Sequence, residues 1–274
     1  MDQTPPSADS SASGSGPGSR RIAMRLAYDG TDFLGWQRQA SGRTVQGVLE
    51  AMLSRLAGDR PVAVTGAGRT DSGVHAAGQV AHADITTTLD DASLLHKLGR
   101  MSPPDLAVLE LVSAPSDFHA RYGAWRRSYR YTILTRPDPF RARYGWLMAW
   151  PIDIGLLERA ASELLGRHDF TALSKHNPDT PDPICEIVST GWSEEPGAIV
   201  FDVTADRFLY GMVRQLVGIQ LDVARGRRPI GEIAATIASR DREQASPAVP
   251  GRGLSLVAVG YPNDPFGTAT DRHR

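Results

Sequence analysis

The feature that most constrains the fold of this chain is the order of its hydrophobic periodicities. Apolar residues alternate over 22–28, as in a strand with one buried face. Over 45–56 they recur at spacings of three and four, which predicts an amphipathic helix that ends near Gly58. Strand-like segments at 62–65 and 74–84, a helix-like segment at 90–99 and a strand-like segment at 106–112 follow. This order predicts layers that contain both helices and strands.

A similar order recurs in the second half of the chain. The predicted strands there are 128–134, 186–192, 198–205 and 254–260, and the predicted helices are 154–166, about 208–224 and 231–239. We therefore predict an α+β fold of two similar αβ subdomains. Each would have a largely antiparallel sheet with helices on one face, and an active-site cleft would lie between the two.

The composition supplies approximate boundaries for these units. The Ser-, Gly- and Pro-rich residues 1–20 predict a disordered tail. Residues 21–115 would form the N-terminal subdomain and residues 116–262 the C-terminal one. Residues 263–274 would be a frayed tail.

Charge and cysteine content exclude several classes of protein. A net charge of -1 over 274 residues excludes a uniformly basic nucleic-acid binder but allows a local basic surface. Cys185 is the only cysteine, so an intramolecular disulfide is impossible and a reducing compartment is expected. No apolar run approaches the roughly 20 residues of a membrane span, and the N-terminus lacks the apolar core of a secretory signal. We expect a cytoplasmic protein.

The stretch TGAGRTDSGVHAAGQVAH, residues 65–82, is unusual because glycines surround a single carboxylate. Neighbours with little bulk would let a substrate approach Asp71 closely, and Arg69 could orient the carboxylate. Such a group suits a nucleophile or an electrostatic stabiliser. A bare turn aspartate that caps its own loop would give the same string, so this pattern leaves both interpretations open.

A basic and aromatic segment at 118–146 is the second candidate. It carries seven arginines against one acid, with six Tyr, Trp and Phe residues between Tyr122 and Tyr144. Guanidinium groups for phosphates and planar rings for bases are typical of an RNA-contacting surface. We take Arg121, Arg126, Arg127 and Arg130 as candidate substrate-binding residues. A solvated basic strand would have a similar composition.

The stretch DRFLYGMVRQLVG, residues 206–218, is the third candidate. Phe208, Met212 and Leu216 have the spacing of a core stripe, whereas Arg214 lies off it and is available to a carboxylate or a phosphate. The histidines are scattered without metal-ligand spacing, and no phosphate-binding loop is recognisable. We expect neither a metal nor another cofactor.

Five motifs in the same order and at similar spacing resemble the tRNA pseudouridine synthase I family of the TruA type. They are YDGTDFLGWQRQ, TVQGVLE, GAGRTDSGVHAAGQVAH, DFHARYGAWRRSYRYTIL and DRFLYGMVRQLVG. The resemblance runs from about residue 22 to residue 262. It implies an isomerase that converts uridine to pseudouridine at positions 38, 39 and 40 of the tRNA anticodon stem-loop.

The resemblance also implies roles for individual residues. Asp71 would be the catalytic nucleophile, with Arg69 beside it to help the target nucleotide leave the stack. Tyr129 would lie against the target base, and Arg214 would pair with Asp71. Family members are cofactor-free homodimers that bind tRNA across both subunits. A non-catalytic RNA-binding protein on the same scaffold, or the same chemistry at other RNA positions, remain alternatives.

Three segments depart from the family pattern. GRMSPPD, residues 99–105, replaces an asparagine-rich run, the loop at 174–187 lacks the basic residues that the family often has before the following strand, and Ser255 stands where an aromatic residue is common. None of these removes a candidate catalytic position. They bear on how tRNA would be gripped, and thus on how many neighbouring uridines are accepted.

Overall fold

The computed structural model describes residues 18–148, 150–177 and 182–267. The strands are β1 (Ser19–Tyr28), β2 (Val64–Gly66), β3 (His75–Thr86), β4 (Leu106–Ser113), β5 (Arg126–Leu134), β6 (Trp146–Leu147), β7 (Gly166–Asp169), β8 (Ile184–Glu195), β9 (Ala198–Ala205) and β10 (Leu254–Gly260). The helices are α1 (Val45–Leu56), α2 (Asp91–Met101), α3 (Ile154–Ser162), α4 (Met212–Ala224) and α5 (Glu232–Ser239). The predicted α+β class is confirmed. The two shortest strands of the second half, β6 and β7, escaped prediction because two to four residues carry too little periodicity.

One continuous sheet holds the strands of both halves, in the order β4-β1-β3-β10-β5-β9-β8-β7. β2 adds to β3 and β6 adds to β5. Pairing is antiparallel except between β5 and β6 and between β10 and β3. In the second of these pairs Ser255 lies opposite His75, at the first residue of β3. Strand β10 therefore joins the halves directly beside the end of the glycine-rich loop.

Helix ends follow the capping residues of the sequence. Thr44, Asp90 and Asp153 each accept a backbone N–H of the first turn of α1, α2 and α3. Gly58 after α1 has φ +70°, as predicted for a helix stop. α1 and α2 pack together beside the N-terminal strands, whereas α3 packs on α4 and β8.

The helix predicted from about residue 208 begins later, at Met212. Gly211 precedes it with φ +70°, a left-handed conformation that ends any regular helix on its N-terminal side. The prediction that Phe208 continues the core stripe of this helix is therefore wrong. Phe208 lies in the preceding loop, where it is half-buried and its ring meets Tyr129 edge to face at 5.1 Å.

Both chain ends of the described region pack on the sheet. β1 begins at Ser19, two residues before the predicted domain boundary. Near the other end, Asp264 pairs with Arg25 at 3.6 Å and the Arg25 guanidinium lies 4.5 Å from the Phe266 ring. Most of the predicted tail 1–20, and residues 268–274 of the other, lie outside the described residues. The two predicted subdomain boundaries stay predictions.

A close approach of backbone to backbone fixes the end of the glycine-rich loop. Gly30 N–H donates to Nδ1 of His75 at 3.0 Å, and Nε2 of the same ring lies 3.2 Å from the Arg252 carbonyl oxygen. A Cβ on Gly30 would come within 2.0 Å of the Val74 carbonyl oxygen. Only glycine allows this contact.

We expect Gly30→Ala to lower the free energy of unfolding by at least about 3 kcal/mol, because the loop backbone must move to admit the methyl group. Gly99→Ala is the control. Gly99 lies inside α2, and a methyl group there would meet open space, so this variant should gain about 0.5–1 kcal/mol of stability. Urea denaturation monitored by circular dichroism measures both. Equal midpoints for Gly30→Ala and the parent protein would contradict the contact.

Candidate active site

A cleft of about 1370 Å³ opens between the segments of the two halves. Its lining comes from the loop after β1, the loop between β2 and β3, the segment before β5, and the loop that leads into α4. This volume exceeds the roughly 300–1,000 Å³ of most small-molecule pockets. The cleft therefore has room for a nucleotide together with part of the chain that carries it.

Buried hydrogen bonds hold the loop between β2 and β3 from beneath. The Tyr28 and Thr70 hydroxyls lie 2.8 Å apart, and burial raises the pKa of Tyr28 to about 12. Gln79, which is fully buried, donates to the Gly68 carbonyl at 2.9 Å. The backbone N–H of Trp36 donates to the Thr70 carbonyl at 3.0 Å. The backbone of Gly68 and Thr70, directly before Asp71, is thus fixed by hydrogen bonds.

Asp71 makes an ion pair with Arg214 across 143 residues of sequence. Nη1 of Arg214 lies 3.0 Å from Oδ2 of Asp71, and the Arg214 and Asp71 side chains are 19% and 13% exposed. Nε of Arg214 donates to the Val249 carbonyl at 2.7 Å, which fixes the plane of the guanidinium. The predicted contact between Arg214 and Asp71 is present. Oδ2 of Asp71 accepts from Arg214, and the Asp71 residue also lines the cleft.

Tyr129 forms a wall of the cleft close to the same carboxylate. It comes from β5, it is 8% exposed, and its ring packs against Phe208. Burial raises the pKa of Tyr129, and the neighbouring Tyr28 and Asp71 raise it further. The phenol therefore stays neutral over the physiological range. A neutral ring with little solvent contact is suited to stacking against an uncharged base.

Arg127 lines the cleft, but its guanidinium is turned toward backbone carbonyls. Nη1 donates to Ala124 and Asp206 at 2.8 and 2.7 Å, and Nη2 donates to Arg121 and Ala67 at 2.6 and 3.3 Å. Burial lowers its pKa. Arg127 therefore ties the loop of Asp71 to the second half of the chain, a contact that composition could not indicate.

The other predicted arginines divide into two groups. Arg69, Arg121 and Arg126 line the cleft, and Arg69 is exposed. Arg130 does not line it. It follows Tyr129 on β5 and so points to the other face of the sheet, where it binds both carboxylate oxygens of Asp202 at 2.8 Å. The Arg130 guanidinium therefore binds a carboxylate of the protein and does not face the cleft.

Several lining residues were assigned no role from sequence. Trp36, Gln37 and Arg38 follow β1, and Leu209 and Tyr210 precede α4. Their segments belong to the quoted motifs YDGTDFLGWQRQ and DRFLYGMVRQLVG, which was the available signal. Leu209 and Tyr210 were not recognised because the sequence predicted a helix through residue 210. Residues of that helix were expected to face the core or the solvent and not a cleft.

Within residues 18–148, 150–177 and 182–267, no group of three His, Cys, Asp or Glu side chains could hold a metal ion. No helix in that part of the chain is long and apolar enough to cross a membrane.

Comparison with known proteins gives a consistent match. The family model for tRNA pseudouridine synthase matches residues 24–123 and 160–262, which include Asp71 and Arg214. A tRNA pseudouridine synthase A of Halalkalibacterium halodurans is 40% identical over 86% of this chain and 90% of its own. Proteins of the same name from Acidiphilium cryptum and Parabacteroides distasonis are 42% and 40% identical, each over 90% of this chain and 98% of its own.

These similarities extend across both halves of the chain, and the names of the relatives denote isomerases. The chain belongs to the tRNA pseudouridine synthase family.

Proposed function

We propose that this protein converts uridine to pseudouridine at positions 38, 39 and 40 of the tRNA anticodon stem-loop, with Asp71 as the catalytic carboxylate. The observation that carries the proposal is the Asp71–Arg214 ion pair in the cleft beside Tyr129. Asp71 and Arg214 lie in the two segments that match the family, and Tyr129 lies between those segments.

The reaction requires few chemical groups from the protein. The bond between N1 and C1′ breaks, the base turns, and a bond between C5 and C1′ forms; the proton lost from C5 is balanced by one gained at N1. Asp71 can attack C1′, attack C6 of the base, or remove a sugar proton, and each route requires the carboxylate to touch the nucleoside. The fixed loop and the Arg214 contact supply this orientation.

The substrate must leave its stack before any of these steps. Everting a nucleotide costs a few kcal/mol, which the protein must offset by contacts to the base and the backbone. Tyr129 offers a buried ring to the base. Arg69 is exposed and lines the cleft, and in this proposal it occupies the space that the nucleotide leaves. Arg121 and Arg126 add positive charge for phosphates.

The test is a modification map. Purified protein is incubated with unmodified tRNA transcripts, and pseudouridine is located by chemical labelling and primer extension. We expect product in the anticodon arm. Transcripts with single uridines replaced by cytidine assign the positions. RNA binding without product at any uridine would favour a non-catalytic RNA-binding protein, and product only outside the arm would favour another target.

Gln79 offers a test of the loop support. We expect Gln79→Leu to lower kcat about tenfold with little change in KM, because Gly68 loses the donor that holds it and the loop carrying Asp71 shifts. Steady-state rates over a range of tRNA concentrations measure kcat and KM.

Gln220→Leu is its matched control. Gln220 is also fully buried, and its amide bridges Trp192 and the Leu216 carbonyl away from the cleft. It should lose stability without losing turnover. An equal fall in kcat for both variants would mean that the effect is a general loss of folding.

We further propose a homodimer that acts in the cytoplasm, where bacterial tRNA is modified. The first property follows from the family resemblance, and multi-angle light scattering measures it directly. A monomeric mass at working concentrations would contradict it.

A further inference from the structure

Trp125 and Arg126 form a solvent-facing platform on the rim of the cleft. Both line it, and Arg126 is the first residue of the strand that carries Tyr129. The backbone N–H of Trp125 donates to the Gly260 carbonyl at 3.0 Å, and the indole packs so closely on the same residue that a Cβ on Gly260 would come within 2.9 Å of Nε1. The indole is therefore seated on the end of β10. It is still 54% exposed.

Arg126 is held beside the same ring. Its guanidinium carbon lies 5.1 Å from the ring centroid, within the range of a cation–π contact, and Nη1 donates to the Trp125 carbonyl at 3.2 Å. Among the described residues, no carboxylate forms an ion pair with Arg126. A fixed aromatic surface thus stands beside a cation whose charge is available to an anion.

We propose that the Trp125 indole stacks on an unpaired base that neighbours the everted uridine, with Arg126 at the phosphate of that nucleotide. This inference rests on the proposed function. Single-stranded RNA is recognised by aromatic rings that stack on bases next to cations that meet the backbone. Tyr129 lies deep beside Asp71, whereas Trp125 lies at the rim, so the two rings suit successive nucleotides of one strand.

The chain contains a matched control for this platform. Trp150 is 60% exposed, and the Arg225 guanidinium lies 4.9 Å from its ring centroid, yet neither residue lines the cleft. Each pair consists of a tryptophan and an arginine, and the two pairs have similar tryptophan exposure and similar cation–π distances. They differ in their position relative to the cleft.

The experiment compares Trp125→Ala, Trp125→Phe and Trp150→Ala in the full chain. Affinity for a fluorescently labelled anticodon stem-loop RNA is measured at one fixed salt concentration. We expect Trp125→Ala to bind about tenfold more weakly, Trp125→Phe to retain most of the affinity because it keeps a ring, and Trp150→Ala to bind like the parent. Equal affinities for Trp125→Ala and Trp150→Ala would overturn the proposal, as would a loss in Trp125→Phe as large as in Trp125→Ala.

A spectroscopic readout separates this proposal from the proposed function. Stacking should quench the fluorescence of Trp125 when RNA is added, so the quench seen in the parent should persist in Trp150→Phe and fall in Trp125→Phe. If the protein yields no pseudouridine but this quench is present, the platform stands and the proposed reaction fails. If product forms and both variants quench alike, the platform alone fails.

Discussion

Asp71→Asn is expected to abolish pseudouridine formation, with a rate at least about 10³-fold below that of the parent, while the protein still folds and binds tRNA. The amide has the shape of the carboxylate, and its oxygen can still accept the hydrogen bond from Arg214. It lacks the negative charge and the basicity that attack on the sugar or the base requires. Product formation under single-turnover conditions measures the loss.

The control for this variant is another aspartate that is paired with arginine. Asp202→Asn alters a carboxylate bound by Arg130 at 2.8 Å, and neither of these two residues lines the cleft. It should leave the rate near that of the parent. Turnover by Asp71→Asn within tenfold of the parent would remove Asp71 from the reaction. If Asp71→Asn melted at a temperature far below that of Asp202→Asn, its loss of activity would instead indicate a folding defect.

Arg214→Lys is expected to lower kcat about 10²-fold. Lysine keeps the charge, but a single ammonium cannot reproduce the guanidinium geometry that joins Asp71 to the Val249 carbonyl. The carboxylate then loses its fixed orientation, and small displacements of a reacting group cost about this factor. Both kcat and kcat/KM of Arg214→Lys are measured, so that an effect on the reaction is separated from an effect on tRNA binding.

We expect KM to change little in Arg214→Lys, because the pair acts on Asp71 and not on the bulk of the tRNA. Arg130→Lys is the matched substitution outside the cleft and should leave kcat unchanged. Arg214→Leu should be worse than Arg214→Lys, since it leaves a largely buried carboxylate without its partner. Full kcat in Arg214→Lys would show that charge alone is sufficient.

Much of the architecture was predictable because it depends on near neighbours in the chain. The α1 helix, the β9 strand (Ala198–Ala205) and the β10 strand (Leu254–Gly260) match their predicted segments, since side-chain periodicity reports directly on one buried face. The α4 helix did not match at its start. Its beginning is decided by the left-handed conformation of Gly211, which periodicity does not encode.

The candidate site shows the same division. The glycine-rich motif singled out Asp71, and the family resemblance paired it with Arg214. No local pattern distinguishes Arg127, which serves backbone carbonyls, from Arg126, which faces the cleft, or from Arg130, which binds Asp202. Strand register, which the local sequence does not encode, sets Arg130 opposite Asp202 on β9 and Arg126 opposite Gly260 on β10.

The sequence by itself determined the alternation of elements, the α+β class, the loop that carries the acid and the family to which the chain belongs. The tertiary structure decided how the halves meet: one sheet, closed by the parallel pairing of His75 and Ser255 beside that loop. It also decided which cations serve the cleft. The physical reason is that periodicity records which side of an element is buried, whereas contacts across 143 residues depend on strand register and on where a helix begins.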